Sequence, residues 1–351
     1  MALSAFSPSS SSQNPPSSAH STTPRGFPYF ADGNIVISAT VGEGGVQVFR
    51  VHSSVLAYHS PVFADMFSLP PSLSGTNTNE VFDGVPMVYM PDAAVDLAQL
   101  LGVLYNPSTL PFERFHPDTP LRIRGVLKLA TKYQIEHLRS RIVKHIEADW
   151  PSTLSDWDVL EDHIESMKRR NRTSDPIFDA QLPEPAAAIR LARECDIPGI
   201  LPAAFYHLSR IHPEMDWDEC RSVTVPLELL SNLRKGERSA RWDLLDKRDL
   251  MRLLHGIRNI QWSEVIIYES METFTAECTN AKGCHTIIKS FCRRRDKQDR
   301  DPLAYLRDRF TFSRLIADQL CDKCATTIST CVQRNRQTFW EELPNLFRLS
   351  S

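Results

Sequence analysis

Four cysteines in the last quarter of the chain have the residue type and spacing of a metal site. Cys321 and Cys324 form a Cys-x-x-Cys pair, and Cys278 and Cys284 form a wider pair with five residues between them. Both thiolates of a Cys-x-x-Cys pair can reach one ion, and four thiolates suit tetrahedral zinc. The sequence therefore predicts a structural zinc site at these four cysteines.

Other interpretations of these cysteines stay open. The first pair is spaced more widely than is usual for zinc, so His285 could replace one of its thiolates as a ligand. Cys292 and Cys331 lie nearby and are not needed for a four-ligand site. A free cysteine is often a small buried hydrophobic residue, and a Cys-x-x-Cys pair can also be redox-active.

The remaining reactive side chains do not have the spacing of a catalytic site. His52 follows an apolar strand without a nucleophile and an acid at motif spacing, which indicates a structural histidine that is hydrogen-bonded inside its domain. The sequence contains no Walker loop, no dinucleotide-binding glycine fingerprint, no His-Glu-x-x-His and no Gly-x-Ser-x-Gly. We therefore predict that the protein is not an enzyme and that zinc is its one candidate cofactor.

The composition bounds the class of protein. The chain has 351 residues, 42% of them hydrophobic, which is enough for two or three domains with a sizeable core. A formal net charge of −3 gives no strong attraction to nucleic acid or to an anionic membrane. No apolar run approaches the roughly 20 residues that span a bilayer, and the first residues lack the pattern of a secretory signal. We expect an intracellular protein, cytoplasmic or nuclear, with reduced or metal-bound cysteines.

Changes in composition divide the chain into five predicted regions. They are a disordered Ser/Pro-rich tail at 1–27, a first domain at 28–150, a charged linker at 151–184, a helical extension at 185–260 and a Cys-rich helical region at 261–351. The tail buries too little apolar surface to offset its ordering entropy. The basic run 168–172 is interpreted as solvated, with a nuclear import signal as the alternative. Acidic neighbours dilute a second basic run at 293–295, which argues against nucleic-acid binding.

The first domain is predicted to belong to the α+β class, with a small β-sheet and a cluster of helices, and a mostly α-helical region follows it. Apolar strands at 35–37 and 46–51 flank a Gly-rich turn, which predicts a hairpin. Ser60 supplies an N-cap and Pro61 a first helical residue for the helix that follows. The further elements predicted for this domain are a strand at 86–90 and helices at 95–105, 121–133 and 135–146.

The order of these elements resembles the BTB/POZ domain. The strongest similarity is the run Phe-Arg-Val-His at 49–52, followed by Val-Leu at 55–56 and Ser-Pro-Val-Phe at 60–63. In that family the histidine ends a strand, the leucine anchors the first helix, and the serine and the aromatic residue lie at the next helix. The run 129–138 resembles the final helical hairpin of the family. This resemblance covers about a third of the chain.

The layout from residue 28 nearly to the end also resembles the uncharacterised BTB-domain proteins of mushroom-forming fungi. The runs 30–35, 190–198 and 201–206 carry this second similarity. It adds little mechanism, because those proteins have no settled one.

Three departures from the family pattern bear on function. Asn34 stands where many members have an acidic residue, and Ser53 stands where many have a basic one after the strand-end histidine. These positions help to form a charged groove in some dimeric members. Members that dock on a cullin scaffold often carry a hydrophobic-x-Glu motif after the third helix. The only glutamate in 68–82 is Glu80, with Thr78 two residues before it, so the motif is absent in that form.

The resemblance implies an intracellular scaffold that binds proteins, either a second copy of itself in a homodimer or another partner. We expect the interaction surface to be apolar and to include Phe30, Ile35, Val55, Leu56, Phe63 and Met66. Two alternatives stay open. One is a substrate adaptor of a cullin-type ubiquitin ligase, and the other is a zinc-containing transcriptional regulator.

Overall fold

The structure is a computed structural model that describes residues 23–68, 81–171, 178–262, 278–291 and 301–349. Its strands are β1 (Arg25–Tyr29), β2 (Ile35–Val41), β3 (Gly45–Val51), β4 (Val81–Phe82) and β5 (Val85–Ala93). They form one five-stranded sheet in the order β1-β3-β2-β5-β4.

Helices make up most of the rest of the described chain. Their bounds are α1 (Ser53–His59), α2 (Pro61–Ser68), α3 (Ala94–Tyr105), α4 (Thr119–Lys132), α5 (Glu136–Asp149), α6 (Leu154–Asn171), α7 (Pro185–Glu194), α8 (Leu201–Ser209), α9 (Leu227–Arg234), α10 (Lys247–Trp262), α11 (Ala281–Phe291), α12 (Pro302–Leu315) and α13 (Asp322–Leu346). Within the described residues, none of these helices combines the length and the apolar character needed to cross a membrane.

The predicted hairpin is present. Strands β2 and β3 pair antiparallel in an unbroken register from Ile35 opposite Val51 to Val41 opposite Gly45. Gly42 and Gly44 in the turn have positive φ angles, which cost glycine less than other residues. Strand β5 then pairs parallel with β2. Parallel strands need a crossover connection, and the helices α1 and α2 lie on the connection between these two strands.

Ser60 joins the two short helices to the rest of the domain. Its Oγ accepts a hydrogen bond of 3.1 Å from the backbone N–H of Phe63, which is the predicted N-cap of α2. The same hydroxyl donates to the backbone oxygen of Tyr133 at the end of α4, at 2.6 Å. Phe63 and Leu56 lie in the core beneath these contacts with no exposed surface. A helix cap and a tertiary contact therefore share one buried hydroxyl.

Ordered structure begins before residue 28. Strand β1 starts at Arg25 and pairs parallel with β3, so the last residues assigned to the disordered tail form an edge of the sheet. Residues 1–22 of the predicted tail lie outside the described residues.

The segment 151–184 differs from the predicted charged linker, because α6 occupies most of its described part. The helix buries Leu154, Trp157, Leu160, Ile164 and Met167. These residues are spaced three or four apart and form one apolar stripe. The abundant charged residues lie on the other faces of the helix and obscure that stripe in the composition of the segment. The basic run at 168–172 is described only as far as the end of α6, where Lys168 pairs with Glu165.

The carboxyl-terminal region is joined to the rest of the chain, because the last part of α13 packs into the main core. Phe339, Trp340 and Leu343 are buried there, together with Phe347 just beyond the helix. The ring of Trp340 lies 5.6 Å from that of Trp157 on α6. Phe347 packs against Gly256 of α10, where no side chain larger than hydrogen fits.

Candidate functional site

Four thiols from two distant stretches of chain lie together. The Sγ atoms of Cys278, Cys284, Cys321 and Cys324 are all within 4.8 Å of one another. Those of Cys278 and Cys321, 43 residues apart in sequence, are separated by 3.8 Å. Cys284 and Cys324 are buried, and the other two are partly exposed. The structure thus brings together the four cysteines that the sequence analysis selected as metal ligands.

Each cysteine pair is positioned by the start of a helix. Cys321 is the residue before α13, and Cys324 is the third residue inside it. Cys278 precedes α11, and Cys284 is the fourth residue of that helix. The first N–H groups of a helix have no partner within the helix, and this end carries a partial positive charge. Because each cysteine pair lies at such a helix start, the partial positive charge there favours the thiolate form of the cysteines.

Hydrogen bonds to sulfur favour the ionised form of one thiol. The backbone N–H of Cys324 lowers the pKa of Cys321 to about 6, and Thr279 contributes in the same direction. Burial has the opposite effect on Cys324, whose pKa is raised. The backbone N–H of Cys321 in turn donates to the Sγ of Cys284 at 3.4 Å. The site therefore already contains the backbone donors that stabilise negative charge on sulfur.

The neighbouring candidate ligands do not join the four thiols. His285 is exposed and is not part of the group. Cys331 lies two turns further along α13, where it is buried and its Sγ accepts a hydrogen bond from the side-chain amide of Asn335 at 3.8 Å. Cys292 lies outside the described residues.

A small core of its own surrounds the thiols. Its buried members come from α11, α12, α13 and the segment between the last two helices: Cys284, Ile288, Leu306, Ile316, Leu320, Cys324, Ile328, Cys331 and Val332. This cluster is separate from the main core, which runs from the sheet to the end of α13.

The predicted interaction surface is divided by the fold. Ile35, Leu56 and Phe63 belong to the main core, with at most 6% of their surface exposed. They hold the sheet against the helices, so they are not available to a partner of the folded domain. Phe30, Val55 and Met66 are partly exposed.

Two exposed aromatic residues that the sequence analysis missed lie on the same elements. Phe27 on β1 is 76% exposed, and Tyr58 on α1 is 85% exposed. Tyr58 follows Val55 by three residues, a spacing that places both on one face of α1. The end of β1 adjoins the start of α1, because the ring of Phe30 lies 5.4 Å from that of His52. We give the name apolar patch to the five exposed or partly exposed residues on or next to β1, α1 and α2: Phe27, Phe30, Val55, Tyr58 and Met66.

The two positions that depart from the family pattern contact each other. The side-chain oxygen of Asn34 accepts a hydrogen bond of 2.8 Å from the backbone N–H of Ser53, and its amide nitrogen donates to the hydroxyl of Ser53 at 3.0 Å. This neutral pair joins the start of β2 to the start of α1. An acidic and a basic residue at the same positions would make this part of the surface charged.

His52 has structural contacts. Its Nδ1 lies 3.0 Å from the hydroxyl of Tyr105, which also accepts a hydrogen bond of 2.8 Å from the backbone N–H of His52. Its Nε2 lies 3.4 Å from the carboxylate of Asp32, an exposed residue. These contacts connect the end of β3 to α3, as expected for a histidine that orders its domain.

Comparison with known proteins gives one match. Residues 37–149 match the family model of the BTB/POZ domain, which is roughly a third of the chain. No curated protein and no solved structure matches the chain.

Proposed function

We propose that this chain, which contains a BTB/POZ domain, is a non-enzymatic scaffold that forms homodimers through the apolar patch of that domain. BTB/POZ domains are general modules of protein–protein interaction. Self-association is the more specific function that we propose for this one. The observation that carries it is the exposure of Phe27 on β1 and Tyr58 on α1, together with three partly exposed apolar residues: Phe30 just after β1, Val55 on α1 and Met66 on α2.

Burial of the apolar patch supplies the driving force. Transfer of apolar surface out of water is favourable by about 25 cal/mol per Å², and aromatic residues are enriched in the centres of interfaces. A two-fold axis presents the same patch on both copies, so each exposed aromatic residue contributes two rings to the interface, one from each copy. A stable interface of this kind needs about 800 Å² on each partner, which requires the elements around the patch to take part.

The neutral pair Asn34–Ser53 leaves the start of α1 without the acidic and basic residues that help to form a groove in some dimeric members. The self-association that we propose therefore depends on burial of the apolar patch and not on a charged groove.

The oligomeric state of the full chain tests this proposal. Tyr58→Glu places a charge in the apolar patch, and we expect it to convert a dimer into a monomer by size-exclusion chromatography with light scattering. Val223→Glu is the matched control, because Val223 is fully exposed and lies outside the BTB/POZ domain. We expect this control to stay dimeric. A wild-type chain that is monomeric at high micromolar concentration contradicts self-association.

An adaptor of a cullin-type ubiquitin ligase is the second candidate. Its support is the way the following helices extend the domain, since Arg124 of α4 pairs with Glu194 of α7. A larger docking surface would result. Residues 69–80, which include Glu80 and most of the segment where the family motif would lie, are outside the described residues. A pull-down of the full chain with the cullin scaffold decides, and absence of binding removes this candidate.

A zinc-containing transcriptional regulator is the third candidate. Only its metal is supported, by the four clustered thiols. The basic run at 293–295 that would face DNA lies outside the described residues.

We infer an intracellular location, cytoplasmic or nuclear, and the resemblance to fungal proteins stays a prediction. Imaging of a fluorescent fusion with and without substitution of the basic runs tests the nuclear alternative.

A further inference from the structure

We propose that Cys278, Cys284, Cys321 and Cys324 bind one Zn²⁺ ion in a closed structural site that joins the start of α11 to the start of α13. The separation between sulfurs supports one shared ion. At a Zn–S distance of about 2.3 Å, the corners of a regular tetrahedron are about 3.8 Å apart. The Sγ atoms of Cys278 and Cys321 are 3.8 Å apart, and the other separations reach at most 4.8 Å.

The ligand set selects the metal and its role. Four thiolates in a tetrahedral arrangement suit zinc or an iron–sulfur centre, whereas hard cations such as Mg²⁺ prefer oxygen ligands. All four tetrahedral positions are filled by protein, so no position remains for water or substrate, which distinguishes a structural zinc from a catalytic one. The N–H of Cys321 donates to the Sγ of Cys284, and such donors around sulfur orient the ligands.

The small core explains why a metal is useful at this place. Nine residues make up its buried part, two of them ligands. A core of this size stabilises little structure by itself, and small domains of this kind commonly depend on a metal or on disulfides. An ion held by four thiols connects α11 to α13 directly and completes the core where its hydrophobic residues end.

Ordinary buried cysteines would be arranged differently. Cys331 shows that arrangement, because it is buried in the same core and has an amide as its sulfur partner. The four thiols instead face one another, and two of them are partly exposed. That exposure gives an ion a route into the site, whereas thiols that serve only as hydrophobic residues gain nothing from facing one another.

Metal analysis of the purified full chain tests the proposal. We expect one zinc per chain after expression in zinc-supplemented medium, and a fall to less than a tenth of that value in Cys284→Ser and in Cys324→Ser. Cys331→Ser is the matched control, since it removes a thiol of the same core, and we expect it to keep one zinc. Equal loss in Cys331→Ser, or iron at the same stoichiometry, overturns the proposal.

A second measurement uses the unaltered chain, so it does not depend on whether the variants fold. Alkylation followed by peptide mapping should show that Cys278, Cys284, Cys321 and Cys324 are protected until a chelator is added, and that all four then react together. Substitution of zinc by Co²⁺ should give the intense visible absorption of a tetrahedral thiolate site. Four thiols that react at the same rate with and without the chelator overturn the proposal, as does a disulfide among them.

Discussion

Arg210 shows, at the scale of single residues, how a largely buried charge is held in this protein. Its guanidinium donates hydrogen bonds of 2.7 and 3.0 Å to the carboxylate of Glu161 and one of 2.6 Å to Asp301. Asp301 also accepts a hydrogen bond of 2.6 Å from the hydroxyl of Tyr206. Burial alone would raise the pKa of Asp301, but the charge of Arg210 and these hydrogen bonds hold it below its usual value. Each of the two carboxylates therefore depends on the same cation.

We predict that Arg210→Met lowers the free energy of unfolding by about 3 kcal/mol at neutral pH, because it removes a buried cation that pairs with two carboxylates. Asp301 in the wild type stabilises the fold above its unfolded pKa, and this contribution is lost as pH falls through its lower folded pKa. In the variant the positive charge that lowers this pKa is removed, so the pKa of Asp301 rises and protonation relieves part of the defect. Urea unfolding should therefore show a difference between the two proteins that shrinks as the pH falls from 7 into the acid range where Asp301 is protonated.

Arg25→Met is the control for this experiment. Arg25 pairs with Asp83 at 2.8 Å, but its side chain is 60% exposed. An exposed ion pair contributes less than about 1 kcal/mol, and the loss should not depend on burial of a carboxylate. An effect of Arg210→Met as small as that of Arg25→Met would show that the cation is not needed.

The cysteines and Arg210 differ in how far the sequence could predict them. The Cys-x-x-Cys spacing of Cys321 and Cys324 predicts a metal site from the sequence alone, because two cysteines this close in the chain can bind the same ion. The partners of Arg210 lie 49 and 91 residues away. No local pattern relates these residues, so only the packing of α6, α8 and the start of α12 identifies them.

At the scale of elements, local sequence patterns predicted the hairpin but did not predict the buried face of helix α6. The hairpin of β2 and β3 could be predicted because an alternating apolar pattern and a Gly-rich turn are both local signals. The apolar patch could be predicted only in part, because burial of Leu56 and exposure of Tyr58 on one short helix depend on which side α2 and α3 cover. The charges of α6 likewise hid a stripe of five buried residues. The ring of Trp157, the largest residue of this stripe, lies 5.3 Å from that of Tyr206 on α8 and 5.6 Å from that of Trp340 on α13.

We predict that Trp157→Ala lowers the free energy of unfolding by roughly 3–5 kcal/mol, because it removes a large buried ring and leaves a cavity between three helices. Val159→Ala is the matched control on the same helix, since Val159 is 67% exposed, and we expect a change within about 0.5 kcal/mol. Denaturant unfolding followed by circular dichroism provides both values. If the two substitutions have equally small effects, α6 is a dispensable linker.

At the scale of the whole molecule, one continuous core joins the BTB/POZ domain to the helices that follow it. The main hydrophobic cluster contains Ile35 and Phe49 of the sheet as well as Phe205 of α8 and Phe347 after α13. Arg124 of α4 pairs with Glu194 of α7, and Arg336 of α13 pairs with Asp158 of α6. A change in the carboxyl-terminal helices therefore has a physical route to the domain that we propose as the dimer interface.

Helix α13 connects the two cores. Removal of the metal therefore tests whether the small core can unfold while the main core stays folded. The helix has 25 residues, a length of ~37 Å at 1.5 Å per residue. Its first half carries Cys324 and Ile328 of the small core, and its second half carries Trp340 and Leu343 of the main core. We predict that a chelator, under reducing conditions, raises amide hydrogen exchange in 278–291 and 305–332 and leaves the hairpin and α3–α5 protected, because only the small core depends on the ion. Exchange should return to its original level when zinc is added back. An increase across the whole chain would show instead that the two cores unfold as one unit, and unchanged exchange in the small core would show that the ion contributes nothing to its stability.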